Sequence, residues 1–203
     1  MKPLVKICGV KDRETAEVVE ASGADFIGFL FADSKRKITV QEAKTIRAAL
    51  SPAIQTVGVF RNQPFEEVNH VAATVGLDYV QLHGEESLAY INQINYPVIK
   101  AITVKDQASL DKVATYQTAV AYLLLDGPIP GSGTGFDWSL LQIDDLQVPV
   151  FLAGGLTLDN VNKALRTLPV AGVDVSSGVE TKDKKDAVKI KQFINQVKGV
   201  PEQ

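Results

Sequence analysis

The sequence predicts a single-domain α/β protein of the (β/α)₈ TIM-barrel class, on three observations. Short apolar runs with β-branched content begin near Leu4, Asp25, Ile54, Asp78, Pro97, Ala121, Val148 and Val170, eight in all and 19 to 29 residues apart. Helical patterns lie between them. No composition break or low-complexity linker interrupts residues 1–203, so the alternation reads as one unit. Eight parallel strands, each followed by a helix, close as a barrel, and 203 residues lies at the compact end of that fold's range. A doubly wound open sheet is the rival arrangement, but Cys8-Gly9-Val10-Lys11 after the first strand is not the G-x-G-x-x-G fingerprint.

Each element has its own signal. Thr39 with Glu42 three residues on forms a capping box ahead of the stripe Ala43, Ile46 and Leu50. Gln63-Pro64 opens the next helix, whose stripe Phe65, Val68, Val71, Ala72 and Val75 stops at Gly76. Asp106 caps a helix carrying Leu110 and Val113, and Thr157 one carrying Val161, Ala164, Leu165 and Leu168. A final helix from about Asp183 has Ala187, Ile190, Ile194 and Val197 on one face, and the tail after Gly199 frays. Between Ala121 and Trp138 a buried strand, Tyr122 to Leu125, ends on Asp126 and gives way to a glycine-rich loop. Asp137 then caps a helix bearing Leu140, Leu141 and Ile143. So long a connection suits a ligand loop or lid.

Composition narrows the function classes. With 45% apolar and 22% charged residues, a net charge of -3 and a pI near 5.4, nothing favours nucleic acid or an acidic membrane as partner. The start MKPLVKICGV lacks a signal peptide's apolar stretch and cleavage site, and no run approaches the ~18 apolar residues of a membrane span. A cytoplasmic protein is expected. The single cysteine, Cys8, excludes an internal disulfide and cannot alone make a thiolate metal site, so no metal is expected. A monomer is expected rather than a homodimer.

A barrel builds its site at the C-terminal ends of its strands. Strand one ends on Cys8; strand two runs into Ser34, Lys35 and Arg36; strand three ends on Arg61 and Asn62; strand four ends on His83. Strand six ends on Asp126, strand seven on Gly154 and Gly155, and strand eight on Asp174, Ser176, Ser177 and Gly178. Small residues after strands seven and eight suit backbone N–H groups and hydroxyls closing on a phosphate, although glycines also serve tight turns. Between them and their neighbours, Asp126 and Cys8 flank that site as acid and base, an arrangement suited to isomerising a phosphosugar by proton transfer. Alternation points both inward, together with Tyr122, Leu124, Leu4 and Lys6. Lys6 is then either satisfied by an inward acid or helps to hold Cys8 as thiolate.

Plainer roles exist for each. A lone buried cysteine is more often core filler. An Asp at a strand end can cap a loop, His83 can fix a neighbouring loop, and Arg36 beside Lys35 and Lys37 can be an exposed basic run.

Six motifs, in order along the chain, carry a resemblance: Val5-Lys6-Ile7-Cys8-Gly9; Gln81-Leu82-His83-Gly84; Leu125-Asp126; Gly131-Ser132-Gly133 with Phe136-Asp137-Trp138; Leu152-Ala153-Gly154-Gly155-Leu156; and Asp174-Val175-Ser176-Ser177-Gly178-Val179-Glu180. Together they closely resemble the phosphoribosylanthranilate isomerase family of tryptophan biosynthesis. The resemblance implies a cofactor-free barrel that converts N-(5'-phosphoribosyl)anthranilate to 1-(o-carboxyphenylamino)-1-deoxyribulose 5-phosphate by an Amadori rearrangement. It implies Asp126 as general acid and Cys8 as general base, Arg36 on the anthranilate carboxylate, and Gly154, Gly155, Ser176 and Ser177 on the phosphate. The loop with Gly131 and Gly133 is expected to cover the substrate, and His83 and Asp174 are further site candidates. For these roles the Cys8 pKa is expected to fall toward neutrality from ~8.5, and burial to keep a proton on Asp126 some of the time.

Two departures stand out: Ser34-Lys35-Arg36 where the family often has Ser-Pro-Arg, and Pro130 where a second glycine is frequent. The rivals are a histidine-pathway isomerase using two aspartates, a decarboxylating synthase needing a lysine for which only Lys6 and Lys100 are near, and a non-catalytic phosphosugar sensor.

Overall fold

The computed structural model describes residues 2–105, 107–127 and 146–199. Eight parallel strands close into a barrel in chain order: β1 Leu4–Cys8, β2 Phe26–Leu30, β3 Gln55–Phe60, β4 Tyr79–Leu82, β5 Val98–Thr103, β6 Tyr122–Asp126, β7 Val150–Ala153 and β8 Gly172–Val175. Closure runs through β1 and β8, where Leu4 lies opposite Gly172 and Lys6 opposite Asp174. Seven described helices surround it: α1 Arg13–Ala21, α2 Val40–Ala49, α3 Phe65–Val75, α4 Leu88–Ile91, α5 Gln107–Tyr116, α6 Val161–Thr167 and α7 Ala187–Lys198.

The strands are apolar on both faces because both are covered, as a parallel sheet under helices requires. Outward residues such as Val5, Ile7, Leu123 and Leu125 pack under the helices, while Phe26, Val57, Ile99, Ala101, Leu124, Phe151 and Ala153 fill the barrel with Leu4, Tyr79 and Tyr122. At the N-terminal end Phe26, Tyr79, Tyr122 and Phe151 meet edge to face, with ring centroids 5.1 to 6.0 Å apart. This plug excludes water from one mouth, so the inward polar residues collect at the other.

Local signals act as the sequence suggested, with three differences. The Thr39 and Glu42 capping box is present, and Gly76 closes α3 in the left-handed conformation. After β7, however, α6 begins at Val161 rather than beside Thr157, because the Asn160 Oδ1 accepts from the Thr157 N–H and holds a turn there first. The last helix begins at Ala187, capped by Asp186, whose Oδ1 accepts from Val188 and Lys189. Residues ahead of it form an unexpected hairpin, β9 Glu180–Thr181 against β10 Lys184–Lys185, turned by Lys182 and Asp183 at φ 50 and 62°. Asp106 and the helix expected from Asp137 through Leu140, Leu141 and Ile143 lie outside the described residues, as do Pro130 and the tail beyond Gly199.

Candidate active site

On β1, alternation sends Leu4, Lys6 and Cys8 into the barrel. Lys6 is fully buried, and its Nζ donates to the Asp174 Oδ1 at 2.9 Å, so the inward acid satisfies it. Opposite Cys8 stands Gly28 of β2. A Cβ at Gly28 would sit 2.9 Å from the Cys8 Sγ and 3.1 Å from the Lys6 Nζ. Thiol and ammonium therefore share the space that a missing side chain leaves, and any larger residue would displace them.

The Cys8 pKa is shifted opposite to the sequence expectation. Burial pushes the thiol up and the Asp174 carboxylate adds to the rise, while Lys6 and Lys185 pull it back without overcoming them. For Lys6, burial favours the neutral amine, but Asp174 and then Cys8 outweigh it and hold its pKa above the ordinary lysine value. Burial thus favours the protonated thiol at Cys8. Spacing revealed the inward positions but carried no measure of desolvation, which sets this direction.

Asp126 closes β6, and His83 follows β4, its N–H held by the Phe60 carbonyl at 2.9 Å. The His83 Nε2 lies 3.2 Å from the Asp126 Oδ2, with both side chains about a third exposed. Beneath them, Gln81 is buried, its Nε2 3.5 Å from the His83 Nδ1 and its Oε1 without a partner among the described residues. The imidazole thus faces the carboxylate through Nε2 and the Gln81 amide through Nδ1. Gly154, at φ 89°, packs against the same acid: a Cβ there would stand 2.4 Å from the Gly127 carbonyl oxygen and 2.9 Å from the Asp126 Oδ1. Only glycine meets both demands.

The two serines after β8 divide. Ser176 Oγ donates to the Cys8 carbonyl at 3.1 Å and accepts from the Lys185 Nζ at 3.2 Å, which ties the loop to β1. Ser177 is exposed, and its hydroxyl, like the Gly155 N–H, has no partner among the described residues. Those two groups remain open to an anion.

Arg36 is more occupied than the sequence suggested. Its Nε and Nη2 donate to the Glu180 Oε1 and Oε2, each at 2.6 Å, and the Lys185 Nζ donates to the same Oε1 at 2.9 Å. Burial favours the neutral acid, yet hydrogen bonds from Arg36 and Lys185 prevail and bring the Glu180 pKa down to about 2. Burial lowers the Lys185 pKa, with Glu180 opposing it. A cleft of about 570 Å³ opens beside this cluster, lined by Gly9, Lys11, Arg36, Glu180 and Lys184 among others.

Sequence reasoning missed Gly28, Lys185 and the partner of Arg36. It also missed a buried pair under the β4 loop: the Lys100 Nζ donates to the Glu86 Oε2 at 2.8 Å, and Glu86 accepts from the N–H groups of Asn62 and Gly84. Gly131 and Gly133 lie outside the described residues. Among the described residues no cluster of three or more His, Cys, Asp or Glu side chains is placed to hold a metal ion.

Comparison with known proteins agrees with the closed parallel barrel. The family model described as N-(5'phosphoribosyl)anthranilate (PRA) isomerase matches residues 5–196. An N-(5'-phosphoribosyl)anthranilate isomerase from Oceanobacillus iheyensis is 43% identical over 198 residues, covering 95% of this chain and 96% of its own. A crystal structure of phosphoribosyl anthranilate isomerase in complex with reduced 1-(o-carboxyphenylamino)-1-deoxyribulose 5-phosphate superposes with a TM-score of 0.89 at 39% identity, covering 98% of this chain and all of that one. A structure described as monomers of dimeric phosphoribosylanthranilate isomerase from Thermotoga maritima gives a TM-score of 0.88 at 38% identity, with the same coverage.

Proposed function

The chain belongs to the N-(5'-phosphoribosyl)anthranilate isomerase family, and from that premise we propose how its strand ends divide the work. The enzyme converts N-(5'-phosphoribosyl)anthranilate to 1-(o-carboxyphenylamino)-1-deoxyribulose 5-phosphate, an Amadori rearrangement in tryptophan biosynthesis. Asp126 protonates the furanose ring oxygen, the bond from that oxygen to C1 breaks, and a Schiff base forms. Cys8, as thiolate, removes the C2 proton; the resulting enolamine takes a proton at C1 and relaxes to the ketone. Each positioned acid or base contributes about 10²- to 10⁴-fold.

The observation that carries the assignment is placement. Cys8 and Asp126 sit on the inner face of β1 and β6, and the strands between them, β7 and β8, bear the open anion-binding groups. The Gly155 N–H and the Ser177 hydroxyl hold the phosphate, Gly154 shapes the turn against Asp126, and Ser176 supports the loop from below. Arg36 takes the anthranilate carboxylate on the edge that Glu180 leaves open. His83 keeps the Asp126 carboxylate aimed.

The enzyme acts in the cytoplasm on this reading; no described helix is long and apolar enough to cross a membrane. It acts as a monomer, since the large apolar side chains left exposed among the described residues, Leu88 and Val188, stand on separate helices. Sedimentation tests this directly against the dimer described for the Thermotoga maritima relative.

The experiment follows the loss of anthranilate-type fluorescence when freshly made substrate meets the protein, corrected for spontaneous breakdown. Asp126→Asn and Cys8→Ser are expected to abolish turnover while phosphate affinity is kept. Either variant working at the wild-type rate removes that residue from the mechanism.

A further inference from the structure

The guanidinium of Arg36 has five N–H donors in two usable edges. Glu180 takes the edge made by Nε and Nη2, both bonds at 2.6 Å, which leaves the edge made by Nη1 and Nη2 for a second carboxylate. The stem of the same arginine lies on Gly9, next to Cys8: a Cβ at Gly9 would come within 2.6 Å of the Arg36 Cδ. The arginine stem therefore lies along the residue that follows Cys8.

Glu180 is itself fixed. It is the cross-strand partner of Lys185 in the hairpin, and both side chains are only 5% exposed. The Lys185 Nζ also donates to the Ser176 carbonyl at 2.9 Å, and the Ser176 hydroxyl donates to the Cys8 carbonyl. One continuous chain of bonds runs from Arg36 through Glu180, Lys185 and Ser176 to the strand that bears Cys8. The formal charges of Arg36, Glu180 and Lys185 leave a single positive charge, which one substrate carboxylate neutralises.

We infer that Glu180 is a specificity-determining positioning residue, which holds Arg36 so that its open edge receives the ortho-carboxylate of the substrate's aromatic ring in register with Cys8. This rests on the reading that Arg36 binds that carboxylate. Glu180 touches no reacting atom, so its effect passes through Arg36. Substrates without the carboxylate gain nothing from the clamp.

The test compares the natural substrate with phosphoribosylated aniline, which lacks the carboxylate, in wild type, Glu180→Gln, Arg36→Met and the double variant. Wild type is expected to prefer the carboxylate substrate by roughly 10⁴-fold or more in kcat/KM, the scale on which a site built for a polar group rejects an analogue without it. Glu180→Gln is expected to lose about 10-fold or more of that preference, with the aniline compound turned over within about 2-fold of wild type and ribose 5-phosphate inhibiting equally. The double variant is expected to match Arg36→Met, because two residues acting in series do not add. Equal slowing of both substrates by Glu180→Gln, or full additivity in the double variant, overturns the inference. Preference surviving in Arg36→Met instead removes the underlying reading of Arg36. Should Glu180→Gln not fold, Glu180→Asp, which keeps the charge but reaches only one of the two nitrogens, is expected to give an intermediate preference; wild-type preference in it also overturns the inference.

Discussion

His83 reaches over the barrel mouth to Asp126, Nε2 to Oδ2 at 3.2 Å, although the strand β5 separates the two strands that bear them. The inner face of β5 carries the small side chains of Ala101 and, opposite Asp126, Thr103, so the imidazole reaches the carboxylate across them. An acid held on one oxygen presents the other to substrate.

Replacing His83 with alanine is therefore expected to lower kcat by roughly 10- to 100-fold, less than the loss for Asp126→Asn. Steady-state fluorescence assays at saturating substrate read this. An unchanged kcat would mean that the contact does not aim the acid.

The Cys8 thiol is pushed above its ordinary ~8.5 by burial first and Asp174 next. With its thiolate as the proposed base, kcat/KM is expected to keep rising with pH beyond that value instead of levelling near neutrality. The sign follows from the active form being the deprotonated one. Alkylation by iodoacetamide, measured over the same range, is expected to follow the same curve, and a plateau below pH 8 in both would contradict it.

Glu180, at about 2, is depressed relative to an unfolded glutamate at ~4.3. A depressed folded pKa stabilises the native state above the unfolded value and loses that contribution as pH falls toward the folded one. Between about pH 4.5 and 2 the wild type is expected to lose thermal stability more steeply than Glu180→Gln. Calorimetric melts at stepped pH give the two slopes.

Lys100 and Glu86 form a pair with side chains 3% and 1% exposed. Removing the cation strands a carboxylate that also holds the N–H groups of Asn62 and Gly84. Lys100→Met is expected to cost about 3–5 kcal/mol, read as a shifted urea midpoint with an unchanged slope. Adding Glu86→Gln is expected to recover part of that cost.

The sequence made the architecture legible because the strand signal is local. Apolar runs at Leu4, Ile54 or Ala121 need no knowledge of their neighbours, and the Thr39 and Glu42 box caps its helix from within four residues. The hairpin at Glu180 was not legible, since Lys182 and Asp183 adopt positive φ without the glycine that normally marks such a turn. Charge partners were equally hidden. Lys6 and Asp174 stand 168 residues apart, and Arg36 and Glu180 stand 144 apart; only barrel closure brings them together. The direction of the Cys8 shift failed for a related reason, because desolvation belongs to the assembled layer and not to the strand.

Cys8 is made long before Asp174, Ser176 and Lys185, which surround it. During synthesis the Cys8 sulfur therefore emerges long before its surroundings, which stay incomplete until β8 leaves the ribosome. Until then β1 and β7 carry open hydrogen-bonding rims, the feature that templates association between chains. Pairing Leu4 with Gly172 removes both rims in one step, so the event that protects the protein from aggregation is also the one that completes the surroundings of Cys8.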